Sequence, residues 1–249
     1  MNGISLFSGI GGIDLAAEWA GISPIAFCER ESFCQKVLNK HWPHTPVYDD
    51  VTTMSKARLD ADGIDTRTID IIFGGYPCQP FSLAGKQEGE SDERYLWGEF
   101  HRLINEIRPT WVVAENVYGH VNNGLSRVLN DMEESKYETW VFVSTVSSIG
   151  GPHERKRMFM VARNTDSKPK LQKNQTSSSF RSEWQAWQSI TWKYWREVSE
   201  LHWSVPEPGI CRVDDGFSSG LDKSRLIALG NAVVPQQIYP IFAAIKQIS

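Results

Sequence analysis

Ile4-Ser5-Leu6-Phe7-Ser8-Gly9-Ile10-Gly11-Gly12 sets a short apolar run against a glycine-rich turn, and a helical pattern follows it. A strand feeding a helix through glycines lets a ligand approach backbone that a Cβ would screen. Tight strand-to-helix turns also use glycine for their own sake, so both readings stand at this point. Outward from this stretch the same unit recurs. Ile4–Phe7, Pro24–Cys28, Ile69–Phe73, Trp111–Ala114, Trp140–Val146 and Met158–Ala162 read as strands, with helical patterns between them. In Glu93–Ile107 the residues Leu96, Phe100, Leu103, Ile104 and Ile107 fall on one helix face. Arg108-Pro109 ends that helix, as Gly21 and Pro43 end the two before it. Alternating strands and helices with doubly apolar strands predict an α/β sheet covered on both faces. The last two strands follow one another without a helix, which predicts an antiparallel edge.

The pattern breaks after Arg163. From Asn164 to Ser179 the chain is Asn, Thr, Ser, Lys and Gln with almost no apolar content, the composition of a linker or exposed loop. Five of the ten tryptophans (Trp184, Trp187, Trp192, Trp195, Trp203) follow, and regular composition resumes near Ile210. Pro235–Ile248 reads as a final helix with proline in its first turn. The expected organisation is one body over 1–163 and 210–249, interrupted by a short inserted region over 164–209. Charge divides in the same way. Residues 1–150 carry 12 Lys+Arg against 21 Asp+Glu, whereas 151–204 carry 10 against 5. A basic, aromatic insert on an acidic body fits an enzyme that grips a polyanion, or an insert that packs on its own body.

Composition excludes other classes. At 41% hydrophobic and 22% charged, the 249-residue chain has the make-up of a globular enzyme rather than a disordered segment. No run approaches the roughly 18 apolar residues of a membrane span, and Met1–Gly12 has no basic stretch of the kind that opens a signal peptide. Cys28, Cys34, Cys78 and Cys211 lack CxxC spacing, so neither a disulfide framework nor a metal cluster is signalled. A cytoplasmic protein is expected.

Gly74-Gly75-Tyr76-Pro77-Cys78-Gln79-Pro80-Phe81-Ser82 follows the Ile69–Phe73 strand directly. Cys78 is therefore expected at the carboxyl edge of the sheet, between two prolines that fix the backbone. A lone cysteine is usually a buried one; this setting favours a nucleophile, whose thiolate needs a partner to lower its pKa or take its proton. Glu115-Asn116-Val117 closes the next strand, where Glu115 is a solvated strand end or an acid with a raised pKa that can donate to a ring nitrogen. Glu29, at the tip of the second strand, is placed to hold a ribose diol, and Asp50 to accept from an adenine amino group. His153-Glu154-Arg155-Lys156-Arg157 reads as a basic turn leading into the last strand. Gly230-Asn231-Ala232-Val233-Val234-Pro235 opens the final helix, and simple capping accounts for it.

Taken in order, LFSGIGG, GGYPCQPFSLAGK, DERYLW, ENV, ERKRMFMVA and GNAVVP resemble the cytosine-5 DNA methyltransferases of bacteria and phages. The resemblance covers 1–163 and 210–249. It implies a class I AdoMet-dependent methyltransferase fold, a mixed seven-stranded sheet with helices on both faces and 164–209 as a small target recognition region. It implies S-adenosyl-L-methionine as cofactor and no metal. The cofactor contacts would be Phe7, Gly9, Gly11, Gly12, Glu29, Arg30, Asp50, Val51, Pro77, Leu96 and Asn231. Cys78 matches the nucleophile, Glu115 the ring-protonating acid, and Arg155 and Arg157 the arginines beside a flipped base. Gln79, Ser82, Lys86 and Arg94 in the loop after the nucleophile, with Arg181, Lys193 and Arg196 in the insert, are expected at the DNA. Two positions depart from the family: His153 stands where glutamine is usual, and Arg30 where an aromatic often covers the adenine. The resemblance implies a monomer acting on double-stranded DNA, with a restriction-modification or phage-protection role and a cognate endonuclease among its partners. A tRNA cytosine-5 methyltransferase and a catalytically silent DNA-binding relative are the alternatives. A zinc deaminase lacks its second cysteine here, and a dinucleotide dehydrogenase leaves Cys78 and Glu115 without work.

Overall fold

The computed structural model describes residues 1–77, 96–151, 154–167 and 227–249. Seven strands form one sheet: β1 (Asn2–Leu6), β2 (Ser23–Cys28), β3 (Val47–Tyr48), β4 (Ile69–Gly75), β5 (Trp111–Val117), β6 (Tyr137–Thr145) and β7 (Lys156–Asn164). Their order is β3-β2-β1-β4-β5-β7-β6, with β1 to β5 parallel and β7 antiparallel to both its neighbours. The expected hairpin is present, but its second strand enters the sheet and its first forms the edge. Burial explains the choice. Met158 to Ala162 of β7 are buried on both faces, while β6 leaves Val141 and Val143 exposed, so the doubly apolar strand takes the inner position.

Helices cover both faces: α1 (Gly12–Trp19), α2 (Ser32–His41), α3 (Lys56–Ala61), α4 (Trp97–Ile107), α5 (His120–Asn123), α6 (Leu125–Glu134) and α7 (Pro235–Ile248). Successive strand residues point to opposite sides. Ile72, Val112 and Met160 therefore pack with Phe100, Leu103 and Ile104 of α4 and Val128 and Met132 of α6. Ile71, Phe73, Val113 and Val161 pack with Ala16 and Ala17 of α1 and Ile238, Ile241, Phe242 and Ile245 of α7. The C-terminal helix thus completes the core begun by the first helix.

The helix expected over Glu93–Ile107 starts at Trp97 in the structure, with residues 93–95 outside the described ones. It stops where Arg108 turns to φ 57° ahead of Pro109. The strand expected over Trp111–Ala114 runs on to Val117, so Glu115 and Asn116 lie within β5 rather than beyond it. At the other end β7 includes Asn164, which is buried and accepts from the Asp166 amide (3.0 Å) and Arg108 Nη2 (3.3 Å). The first residues of the expected linker are therefore tied to the body; the insert from 168 onward lies outside the described residues. No described helix is long and apolar enough to cross a membrane.

Candidate active site

A cleft of about 700 Å³ opens at the carboxyl end of β1, β2, β4 and β5, where the Phe7–Gly12 turn, the ends of β2 and β3, Pro77, Leu96 and the 227–233 segment converge. Of the expected cofactor residues, Phe7, Gly9, Gly12, Glu29, Arg30, Asp50, Val51, Pro77, Leu96 and Asn231 line it. Gly11 stands behind the turn, at φ 84° and with the Trp42 ring 2.6 Å from where a Cβ would sit. Gly9, at φ 56°, has open space where a side chain would project. The turn is pinned by Gly11 N donating to Ser8 O (3.0 Å) and Ser8 N to Cys28 O (3.2 Å). These bonds hold Phe7 at φ 55°, a costly conformation for an aromatic residue. The result is a ring stacked near Phe100 (6.4 Å, 19°) as an apolar wall of the cleft.

Two carboxylates face this wall. Glu29 accepts from Gly9 N and Glu31 N, each at 2.7 Å, one on each oxygen. Burial raises its pKa, and the two amides pull it back. Each oxygen keeps a lone pair for a hydroxyl donor. Asp50 caps the turn Val51–Thr53, accepting from Thr52 N (2.9 Å) and Thr52 Oγ1 (2.8 Å) on Oδ1, which holds its pKa low. An open glycine turn, an apolar wall and two fixed carboxylates fit a nucleoside-bearing cofactor. Cys28 and Cys34 also line the cleft, but burial pushes their thiols up to about 12 and about 11, which leaves neither reactive.

At the other end of the cleft Glu115 Oε1 accepts from Arg157 Nε at 2.7 Å. Register brings them together. Arg157 pairs with Val117 and Phe159 with Glu115, so Arg157 and Glu115 are diagonal neighbours on one face. Only an antiparallel β7 begins where β5 ends. Burial pushes Glu115 up to about 7, with Arg157 and then Arg155 opposing that rise. Its other oxygen leans over Gly75, 2.6 Å from where a Cβ would be. Such a carboxyl can carry a proton near neutral pH and deliver it into the cleft. Arg155 does different work: Nη2 donates to Gly230 O (2.5 Å) and Ala232 O (2.6 Å), fastening the strip that presents Asn231 to the cleft. Glu115 and Arg157 are thus brought together, whereas Arg155 bonds to backbone. Cys78, Gln79, Ser82, Lys86, Arg94, His153, Arg181, Lys193 and Arg196 lie outside the described residues. Among the described residues no cluster of His, Cys, Asp or Glu could hold a metal ion.

Sequence reading missed three buried polar residues at this site. Gln237, on the apolar face of α7, donates to Ser144 O (3.1 Å) and Arg155 O (3.0 Å), tying the last helix to the arginine turn. Asp14, in the first turn of α1, is wholly buried. His120 is buried beside Tyr76, with its Nε2 2.7 Å from the Tyr76 hydroxyl. A polar residue within an apolar periodic run was the available signal for the first two; His120 had none.

A family model described as C-5 cytosine-specific DNA methylase matches residues 1–204. Type II methyltransferase M.AquIA of Picosynechococcus sp. is 36% identical over 173 residues, covering 64% of this chain and 70% of that protein. Type II methyltransferase M.CviJI of Paramecium bursaria Chlorella virus IL3A is 31% identical over 247 residues, covering 97% of this chain and 58% of that protein. A crystal structure described as a DNA modification methyltransferase encoded within an E. coli prophage superposes with a TM-score of 0.59 at 26% identity, covering 72% of this chain and 51% of that one. The chain thus spans little more than half the length of two of these three relatives.

Proposed function

Since the chain belongs to the C-5 cytosine-specific DNA methylase family, we propose that it transfers a methyl group from S-adenosyl-L-methionine to C5 of cytosine in double-stranded DNA. The observation that carries this reading is the buried Glu115, held by Arg157 at the end of the cleft opposite the Glu29 and Asp50 carboxylates. Phe7, Val51 and Leu96 would flank the adenine, Asp50 its amino group and Glu29 the ribose diol, with Arg30 and Asn231 at the rim. The cofactor supplies the electrophilic methyl group.

C5 of cytosine is a poor nucleophile until the ring is activated. Cys78, leaving Pro77 at the cleft wall, attacks C6 as the thiolate, while the Glu115 carboxyl donates a proton to N3 and absorbs the charge. After methylation, a solvent water takes the C5 proton as the C6–S bond breaks and releases the Cys78 thiolate, and Glu115 recovers its proton from N3. Arg157 keeps Glu115 aimed into the cleft throughout. C6 is shielded inside a duplex, so the base must be flipped out to reach these groups. The loop residues Gln79, Ser82, Lys86 and Arg94 and the insert's Arg181, Lys193 and Arg196 are the proposed DNA contacts. An insert of this size supports a recognition site of about two to four base pairs, or a loose context preference around one cytosine, since each specified pair needs roughly one well-placed contact.

Two measurements test this. Conversion sequencing of a plasmid from expressing cells should return 5-methylcytosine within one short site or loose context; methylation confined to tRNA, or a unique site of about six or more base pairs, contradicts the reading. A duplex with 5-fluorocytosine at the target should trap the parent enzyme but not Cys78→Ala in a cofactor-dependent adduct. Turnover by Cys78→Ala would sink the covalent route.

A further inference from the structure

Tyr76 is the last residue but one before Cys78, and it is held from two directions by the segment that follows Glu115. Its carbonyl accepts from Asn116 Nδ2 (3.2 Å), and its hydroxyl lies 2.7 Å from His120 Nε2. Both side chains are buried, with exposures of 3% and 0%. The rings meet edge to face at 5.4 Å, and Tyr76 also packs on Trp97 (5.2 Å) and Phe100 (6.1 Å). The chain reserves space for the imidazole: a Cβ at Gly124 would collide with His120 Cε1 and sit 2.9 Å from Nδ1. Burial pushes His120 down to about 4, so the imidazole is neutral wherever the enzyme works.

An aromatic cluster of this kind needs no polar pair to pack. Replacing both members of a buried hydrogen bond by apolar groups of similar shape is close to neutral for stability. What the bond adds is direction: the hydroxyl fixes the plane and depth of the Tyr76 ring, while Asn116 fixes its carbonyl. One grip comes from β5, which carries Glu115, and the other from the first residue of α5 just beyond it. We infer that His120 is a positioning residue that acts through Tyr76 to set the Pro77 backbone, and so the start of the nucleophile loop, against Glu115. The inference rests on the reading of Cys78 and Glu115 given above.

The test compares the parent with Tyr76→Phe, His120→Leu, His120→Gln and the double variant Tyr76→Phe/His120→Leu, all as full-length chains. Thermal unfolding, S-adenosyl-L-methionine affinity, DNA affinity and single-turnover methyl transfer are measured on each. Both single apolar variants should keep cofactor and DNA affinity yet lose roughly tenfold or more in single-turnover rate, because small misplacements of reacting groups are costly. The double variant should regain melting temperature lost by the singles without regaining rate, and His120→Gln should keep more rate than His120→Leu. A double variant as fast as an active parent, or losses of rate matched by losses of cofactor affinity, would make the pair merely structural and overturn the inference. If the parent neither methylates cytosine nor is trapped by 5-fluorocytosine, the proposed function fails, and this inference falls with it.

Discussion

Glu115 is a carboxylate that the fold takes out of water and then sets beside Arg157, with Arg155 adding a weaker positive field, and the opposed effects leave it near 7. Its proton is present below that value and lost above it. Methyl transfer should therefore fall as pH rises through about 7, on the limb that Glu115 controls, and Glu115→Gln should remove that limb while lowering the rate by roughly 10²–10⁴-fold. Single-turnover rates across the pH range check this; an unchanged falling limb in Glu115→Gln would assign it to another group. Asp14 makes the same physics a matter of stability. It is wholly buried, and desolvation, opposed by hydrogen bonding to the Ser5 side chain and to its own backbone amide, raises it to about 7. In the unfolded chain it titrates near 3.8, so below that pH the carboxyl is neutral in both states and carries no penalty. The penalty grows as pH rises from there to about 7 and is constant beyond, reaching on the order of 4 kcal/mol. Asp14→Asn should thus raise the melting temperature at about pH 8 and change it little near pH 4. Equal shifts at both would show that the carboxylate is not the cause.

Among elements, the contact of β4 with its neighbours is made by two adjacent glycines with different consequences. A Cβ at Gly74 would strike the backbone carbonyl of Leu6 in β1, whereas one at Gly75 would meet only the end of the Glu115 side chain. Backbone cannot yield and a carboxylate can. Gly74→Ala should therefore cost stability, while Gly75→Ala should leave melting nearly unchanged but push Glu115 off Arg157 and lower the rate by about 10²-fold. Thermal unfolding and single-turnover rates on both variants decide it; a Gly75→Ala enzyme as fast as the parent would mean that Glu115 works from another position. Much of this was legible beforehand. Both glycines, the strand and its carboxyl-edge location follow from composition and period. That Gly75 makes room for Glu115 was not, because it depends on β4–β5 register, which local pattern does not fix.

Across the whole molecule, the last helix supports the site from the far side of the sheet. Phe242 of α7 is fully buried and meets Phe73 of β4 edge to face at 5.2 Å, one residue before Gly74-Gly75-Tyr76-Pro77. Phe242→Ala should cost about 3–5 kcal/mol in denaturant unfolding, with activity recovered at low temperature where the variant is still folded. A loss no larger than that of an exposed site would mean α7 is not part of the core. The sequence by itself determined the α/β alternation, the glycine turn and the choice of Phe7, Glu29, Asp50, Cys78 and Glu115 as candidates. Each of these is written in residue type and in spacing along a single element. Tertiary structure alone decided that β7 runs inside β6, that Arg157 binds Glu115 while Arg155 fastens the strip around Asn231, and that His120 meets Tyr76 across 44 positions of chain. Those outcomes turn on strand order, register and which buried polar groups find each other. They are set by the burial of the whole sheet, which no local stretch of sequence contains.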